Sequence, residues 1–517
     1  MHEENTSIGE ITNYDQLLLA TGGVYGMLSE SFFGDRYNYY PANIKGDDLT
    51  GYQGSYYTYY YDIVCSPFPR DYTYSDATDE IHILWKKMYQ TIASANNIIC
   101  QFDVSTLEDG AVSELLGENY LIRAFCYFRL TRTYGQIPLI VNIDIDYSIP
   151  KPLFKEIYEL IESDLKTAKK LLPENNSSAR VPFVTPHKGT AKALLSELYL
   201  SWAGYPCRDE TKYALAAKEA GEVIDSADYF GFSLMDDFAD LWDESHYLNS
   251  ESVLTLYNGN SALSGVEEAW SNIYSGWYGN SASNGWYINP GLNIETFFYA
   301  TEINFFNNFP SDYRKEITFY TDIYVPNFPY ITDANPDTGY IHIDTVGACD
   351  RVAYRKFYYD ATLKEITHVF EGATTGTVRD FFIGSTKAYL FRYAHTLLTF
   401  AEASARSGLL SPKAYECINQ IRRRAHQFDL YTTSVYDLQP GLSPEAFADS
   451  VVWERAWELA GEPEGRWFDL IRLEMVEDLP VLRDPDEGGP PSYPVTKDDY
   501  FFTIPEGEQY LNPDIAE

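Results

Sequence analysis

Two stretches of the chain concentrate aromatic side chains beside small polar residues, a combination that suggests ligand binding. The first, Tyr52–Tyr74, holds eight tyrosines in 23 residues. The second, Ala269–Ile294, has 26 residues without a charge, among them five Asn, four Gly and four Ser. Aromatic faces beside amides and hydroxyls suit a ligand with apolar faces and polar edges, such as a pyranose, and also a base or a peptide. The candidate ligand-binding residues are Tyr72, Tyr74, Trp270, Trp277, Tyr278, Trp286 and Tyr287.

An alternative role for these rings is structural. They would then pack the loops onto the helices or onto a partner protein, and the isolated chain would bind no ligand. The residue types alone leave both interpretations open, and we favour recognition for each stretch as a whole.

The chain carries no sequence signature of a catalytic or cofactor site. It has no G-x-x-x-x-G-K-[ST] phosphate loop, no G-x-G-x-x-G at a helix start, no H-E-x-x-H and no G-x-S-x-G. The acidic cluster between Asp236 and Glu244 lacks the EF-hand pattern and is interpreted as a solvated helix face, with a weak calcium site as the alternative. A glycosidase pair of carboxylates forms only in space, so 76 acids carry no information about one. We assign no catalytic residue, no metal ligand and no cofactor, and we expect a non-enzymatic binding protein, with a glycosidase as the alternative.

Charge and composition narrow the range of partners. The 76 Asp and Glu against 38 Lys and Arg give a formal charge of −38, which disfavours nucleic acid, anionic lipid and polyanionic ligands. Hydrophobic residues make up 45% of the 517, enough for a sizeable core. Six cysteines without a CxxC pair are too sparse for a disulfide framework. No run of about 18 apolar residues exists, so we expect no membrane-spanning helix.

Amphipathic helices must position the aromatic stretches. Apolar residues recur at three- and four-residue steps near 81–100, 113–134, 153–172, 190–202, 212–226, 390–405 and 414–425. The pairs at 190–226 and 390–425 resemble tetratricopeptide-type units, which must stack on neighbours to bury their apolar faces.

The middle of the chain differs from both ends. It is rich in Gly, Asn, Pro and Tyr, which predicts a loop-rich insertion with short strands near 341–345 and 353–359. The predicted organisation is an N-terminal helical part (1–229), a loop-rich ligand-binding region (230–384) and a C-terminal helical part (385–517). We expect these parts to form one compact unit.

Six sequence blocks follow one another along nearly the whole chain. They are Leu84–Asn96, Gly117–Leu139, Gly189–Leu200, Arg392–Ala425, Glu454–Arg472 and Tyr500–Pro513. Together and in this order they resemble the SusD/RagB family, the surface nutrient-binding lipoproteins of Bacteroidetes. Two departures are His395, where the family often has an acid, and Pro463 before the Glu-Gly pair. The matching charged residues are predicted to form helix-linking ion pairs rather than to bind ligand; they are Arg123, Glu454, Arg455, Arg466 and Asp469.

The resemblance implies a fold, a function and a location. The implied fold is all-α, a SusD-like superhelix of tetratricopeptide-like helix pairs with minor β content. The implied function is the capture of an oligo- or polysaccharide for a SusC-like TonB-dependent outer-membrane transporter, at the extracellular face of the outer membrane. Attachment is expected through an N-terminal lipid that is absent from this chain. Peptide capture, as in the RagB branch, is the alternative that stays open.

Overall fold

Helices dominate the computed structural model, which describes residues 9–33, 46–51, 78–143, 148–257, 299–320, 322–324, 340–342, 353–354, 356, 387–484 and 494–515. In chain order the helices are α1 (Tyr14–Phe33), α2 (Thr78–Ile99), α3 (Gly110–Tyr134), α4 (Phe154–Leu171), α5 (Lys188–Ala203), α6 (Lys212–Asp225), α7 (Ala227–Phe230), α8 (Ile303–Asn308), α9 (Tyr313–Thr318), α10 (Tyr393–Arg406), α11 (Pro412–Ala425), α12 (Pro444–Glu458), α13 (Arg466–Arg472), α14 (Leu479–Leu482) and α15 (Glu506–Leu511). In the described part of the chain, no helix is both long and apolar enough to cross a membrane.

Local sequence sets the ends of the long helices. The carboxylate of Asp109 accepts a hydrogen bond from the Ala111 N–H at 2.8 Å and begins α3. That helix ends at Gly135, whose φ of 79° favours glycine. The Ser443 hydroxyl oxygen accepts from the Ala446 N–H in the same way, and Pro444 occupies the first position of α12.

The long helices pack against their neighbours in the chain, from α1 with α2 through α3, α4, α5 and α6. Helix α10 then returns to lie on α5 and α6, and it also contacts α11 and α12. The seams are apolar and buried, with Leu195 and Leu198 on α5 and Leu397 and Ala401 on α10. The predicted mainly helical fold of stacked helix pairs is confirmed.

Eight short strands form four antiparallel pairs in the described residues. The strands are β1 (Leu49–Gly51), β2 (Ser252–Tyr257), β3 (Tyr299–Thr301), β4 (Phe319–Tyr320), β5 (Asp322–Tyr324), β6 (Tyr340–His342), β7 (Ala353–Tyr354) and β8 (Lys387–Arg392). The pairs are β1 with β3, β2 with β8, β4 with β7 and β5 with β6. Strand β6 starts next to its predicted position and β7 starts at it, and most of the remaining predicted strand residues lie outside the described part of the chain.

Two features differ from the sequence-based expectation. Leu390, assigned to a helical stripe, lies in β8 between Tyr389 and Phe391, which pair with Thr255 and Leu254 of β2, and α10 begins only at Tyr393. Helix α1 was not predicted, because its three glycines lower helix propensity. Burial of Leu17, Val24 and Leu28 against the neighbouring helices offsets that cost.

Candidate functional site

The candidate ligand-binding residues all lie outside the described residues. Tyr72 and Tyr74 belong to 52–77, and the other five belong to 258–298; they are Trp270, Trp277, Tyr278, Trp286 and Tyr287. The structure does define where both aromatic stretches join the helical scaffold, and those junctions form the candidate site.

One β ladder joins the two aromatic stretches. Strand β1 pairs antiparallel with β3, and Gly51 lies opposite Tyr299. The first stretch leaves the scaffold after Gly51, and the segment that contains the second stretch returns to the scaffold at Tyr299. Two stretches that are far apart in the sequence therefore share one attachment point.

A second ladder holds the other end of residues 258–298. Tyr257, the last residue of β2, lies opposite Lys387, the first residue of β8. The Tyr257 ring packs against Tyr247 with centroids 5.0 Å apart, and Lys387 Nζ donates to the His246 carbonyl at 3.1 Å. Burial lowers the pKa of Lys387 to about 7. The start of this segment is thus fixed by a packed aromatic and polar cluster.

A clamp of buried polar contacts fastens β1 to the turn between α12 and α13. Arg466 donates from Nε and Nη2 to the two carboxylate oxygens of Asp47, at 2.7 and 2.8 Å. The Gly461 N–H donates to the Asp48 carboxylate at 2.9 Å, and the Tyr354 hydroxyl donates to the Asp48 carbonyl at 2.8 Å. Burial and the Asp47 charge raise the pKa of Asp48 to about 6.

Glycine is required at the centre of this clamp. Gly461 has a φ of 71°, and a Cβ there would lie 2.9 Å from the Tyr354 ring. The backbone of the turn can therefore approach β7 closely enough for both to reach Asp48.

A buried charge hub adjoins the β2–β8 ladder and is built around Arg392, Arg424 and Arg314. Arg392 pairs with Glu251 at 2.7 Å and with Glu458 at 2.6 Å, and Arg424 pairs with the same two carboxylates at 2.6 Å each. Arg314 reaches Glu458 at 3.1 Å. Burial alone would raise the pKa of Glu458, but the three guanidinium groups hold it well below its usual range.

The hub links β2, β7 and β8 to the C-terminal helices. Arg392 closes β8, Glu251 directly precedes β2, and Glu458 ends α12. Lys356, just after β7, pairs with Glu462 at 2.8 Å, and Glu462 also pairs with Arg392 at 2.9 Å. Because the pairs are buried and share partners, they fix the relative positions of these segments.

The predicted helix-linking ion pairs are confirmed. Arg123 on α3 forms a forked pair with Asp164 on α4, with both distances 2.7 Å. Arg455 joins Asp469 at 3.1 Å and thereby links α12 to α13. Glu454 pairs with Arg314 at 2.7 Å, and Arg466 forms the clamp described above. Their role is to hold helices and loops together.

Sequence reasoning missed an aromatic pair beside the clamp. The rings of Trp453 and Trp457, one turn apart on α12, lie 6.1 Å apart, and the Arg466 guanidinium lies 4.6 Å from the Trp453 ring. Both rings are half-buried. A spacing of four residues on one helix is typical of core packing, so only the neighbouring Asp47–Arg466 pair shows that these rings adjoin the candidate site.

The acidic cluster forms short 3₁₀ turns, at Ala239–Leu241 and Glu244–His246, rather than the predicted helix face. Among the described residues, no group of three or more His, Cys, Asp or Glu is arranged to hold a metal ion. The described cysteines Cys100, Cys126, Cys207 and Cys417 are free thiols.

Comparison with known proteins gives consistent matches along the chain. A SusD-like model described as "Starch-binding associating with outer membrane" matches residues 37–200, and the "SusD family" model matches residues 277–516. The chain is 26% identical over 459 residues to SusD-like protein P2 of Formosa agariphila, covering 86% of this chain and 81% of that protein.

Solved structures show the same fold. A SusD homolog from Bacteroides thetaiotaomicron superposes with a TM-score of 0.76 at 21% identity, covering 99% of this chain and 98% of that one. A laminarin-binding SusD-like protein superposes with a TM-score of 0.67 at 20% identity, covering 97% and 98%.

Proposed function

The chain belongs to the SusD/RagB family of non-catalytic binding proteins, and from that premise we propose that it is a surface glycan-binding protein. It captures an oligo- or polysaccharide and passes it to a SusC-like TonB-dependent transporter. The family model's description associates the family with the outer membrane, and we place this chain on its extracellular face, attached through an N-terminal lipid.

The shared attachment of the two aromatic stretches carries this proposal. Because Gly51 and Tyr299 are paired, the first stretch begins close to where the segment with the second stretch ends, and in this proposal rings from both contribute to one binding surface. The second stretch has no charged residue, and its rings stand beside Asn, Ser and Gly, as a sugar with C–H faces and hydroxyl edges requires. The region 230–384 is, in this proposal, the ligand-binding part between two helical parts, 1–229 and 385–517.

Charge selects the class of glycan. With a formal charge of −38, the chain repels sulfated or uronate-rich polymers, whereas a neutral polymer meets no such barrier. A shallow aromatic surface binds each sugar weakly, so affinity grows with the number of sugars in contact. We therefore expect neutral polysaccharides to bind more tightly than anionic ones.

Native affinity electrophoresis through gels that contain laminarin, xyloglucan or anionic alginate tests the proposal. We expect retardation by a neutral polymer, and we expect Trp277→Ala and Trp286→Ala each to weaken binding by about 1–3 kcal/mol, the magnitude of a lost stacking contact. Tyr510→Ala, which removes an aromatic ring 87% exposed on α15, is the control and should leave binding unchanged.

Three results would contradict parts of this proposal. Unchanged binding in both tryptophan variants would move the site away from the second stretch. Retardation by none of the polysaccharides, together with binding of an oligopeptide pool, would favour peptide capture instead. Release of shortened sugars from a bound polymer would contradict a purely binding role.

A further inference from the structure

The loop between α11 and α12, residues 426–443, presents aromatic rings to solvent, and we name it the aromatic loop. Tyr431 is 72% exposed, Phe428 is 45% exposed and Tyr436 is 38% exposed. The Phe428 and Tyr436 rings meet edge to face, with centroids 5.4 Å apart. Several large rings exposed together on one loop mark a recognition surface more often than single exposed apolar residues do.

Helix α11 fixes the conformation of this loop. Arg423 donates to both carboxylate oxygens of Asp437, at 2.9 and 2.6 Å, and to the Leu430 carbonyl at 2.8 Å. The His426 ring stacks on Tyr436 with centroids 3.6 Å apart and planes at 11°. Because these contacts already order the loop in the free protein, ligand binding costs little conformational entropy of the loop.

Polar groups surround the most exposed ring. Partial burial and the carboxylates of Asp236, Asp228 and Asp429 raise the pKa of Tyr431. Three hydroxyl residues follow it directly in the chain, Thr432, Thr433 and Ser434. An aromatic face among carboxylates and hydroxyls suits a neutral sugar, because sugar hydroxyls donate to carboxylates while an anionic sugar is repelled.

The aromatic loop also lies next to the buried charge hub. Arg422 on α11 donates from Nε to the Tyr436 carbonyl of the loop at 2.8 Å, and it pairs with Glu454 at 3.1 Å. Arg314 pairs with Glu454 and Glu458 of α12, whose far end adjoins the clamp on β1. Through α12, the aromatic loop is therefore connected to the turn that carries the clamp on β1.

We propose that the aromatic loop is a second carbohydrate-binding surface, on which Tyr431 and Phe428 stack against the sugar rings of a long neutral polysaccharide. The inference rests on the proposed function, since it takes the same class of ligand. The loop is then a second contact, which increases affinity only for a polysaccharide long enough to reach both surfaces.

The test compares a long and a short form of one glycan on the full chain. The probes are laminarin and laminaritriose, or xyloglucan and its heptasaccharide if wild type prefers xyloglucan. The variants are Tyr431→Ala and the double variant Tyr431→Ala with Phe428→Ala. The controls are Tyr431→Phe, which keeps the ring, and Val435→Ala, which shortens an apolar side chain 87% exposed on the same loop.

We expect both alanine variants to weaken polymer binding, the double variant on the order of 10-fold, while the oligosaccharide affinity stays within twofold of wild type. Both controls should bind the polymer like wild type, and the thermal midpoints of Tyr431→Ala and Val435→Ala should match wild type because these side chains are 72% and 87% exposed.

Several outcomes would overturn this inference. One is polymer binding that survives the double variant unchanged; another is an equal loss for polymer and oligosaccharide, which would place the rings in the first site. A wild-type dimer that dissociates on Tyr431→Ala would show that a second copy covers the loop. If wild type binds none of the glycans, the proposed function fails together with this inference, whereas the other outcomes refute this inference alone.

Discussion

Removing the Asp47 carboxylate should both destabilise the chain and weaken glycan binding. Asp47 accepts two hydrogen bonds from the guanidinium of Arg466, and both side chains are buried. In Asp47→Ala the guanidinium stays buried and loses its partner, which costs about 3–5 kcal/mol in comparable pairs. The charge of Asp48 also acts on Arg466 and compensates part of the lost pairing. We therefore expect the unfolding free energy to fall by about 3 kcal/mol, the lower end of that range.

A matched ion pair elsewhere separates stability from function. Arg123 and Asp164 form the same forked geometry with similar burial, but they join α3 to α4 rather than a binding segment to the scaffold. Asp164→Ala should therefore lower the unfolding free energy by a similar amount and leave the glycan affinity within about twofold. Asp47→Ala should weaken glycan affinity about 10-fold or more, because β1 and the aromatic stretch that follows it lose the Asp47–Arg466 pair that holds them to the scaffold.

Urea unfolding followed by tryptophan fluorescence measures the first effect, and affinity electrophoresis without denaturant measures the second. Trp453, beside Arg466, also reports on the clamp directly. The double variant Asp47→Ala with Arg466→Met should recover part of the stability, because it removes the unpaired charge. A loss below about 1 kcal/mol in Asp47→Ala, or equal effects of the two aspartate variants on affinity, would refute the reasoning.

The remaining predictions concern pH and close packing. Because the pKa of Asp48 is raised to about 6, its carboxyl favours the folded state less as pH rises from about 4 to 6. Asp48→Asn, which can still accept from Gly461, should flatten the dependence of unfolding free energy on pH in this range and raise stability at pH 7; an unchanged profile would contradict this. A Cβ on Gly204 would lie 2.3 Å from the Arg472 carbonyl oxygen, so Gly204→Ala should cost at least about 2 kcal/mol of unfolding free energy. A Cβ on Gly26 would meet no atom within 4 Å, so Gly26→Ala should instead raise the unfolding free energy, by at most about 1 kcal/mol. Similar urea midpoints for the two variants would contradict the close packing described at Gly204.

Helical periodicity in the sequence was sufficient to predict most of the scaffold. The stripes at 190–202 and 414–425 became α5 and α11 with ends within a few residues, because an apolar stripe at this spacing can be buried only as a helix. The charged residues in the matching blocks were likewise assigned to ion pairs, since Arg and carboxylate groups at buried helix positions need partners. Leu390 shows the limit, because an apolar residue in a short run fits a strand as well as a helix.

The candidate site depended on contacts that no local pattern encodes. Composition identified the two aromatic stretches, but only the tertiary structure paired Gly51 with Tyr299 and joined Asp47 to Arg466. Periodicity reports how a segment faces its immediate neighbours, whereas the pairing of distant segments follows from the packing of the whole chain. The sequence therefore determined which residue types are suited to bind a sugar, and the fold decided that Gly51, before the first stretch, lies opposite Tyr299, after the second.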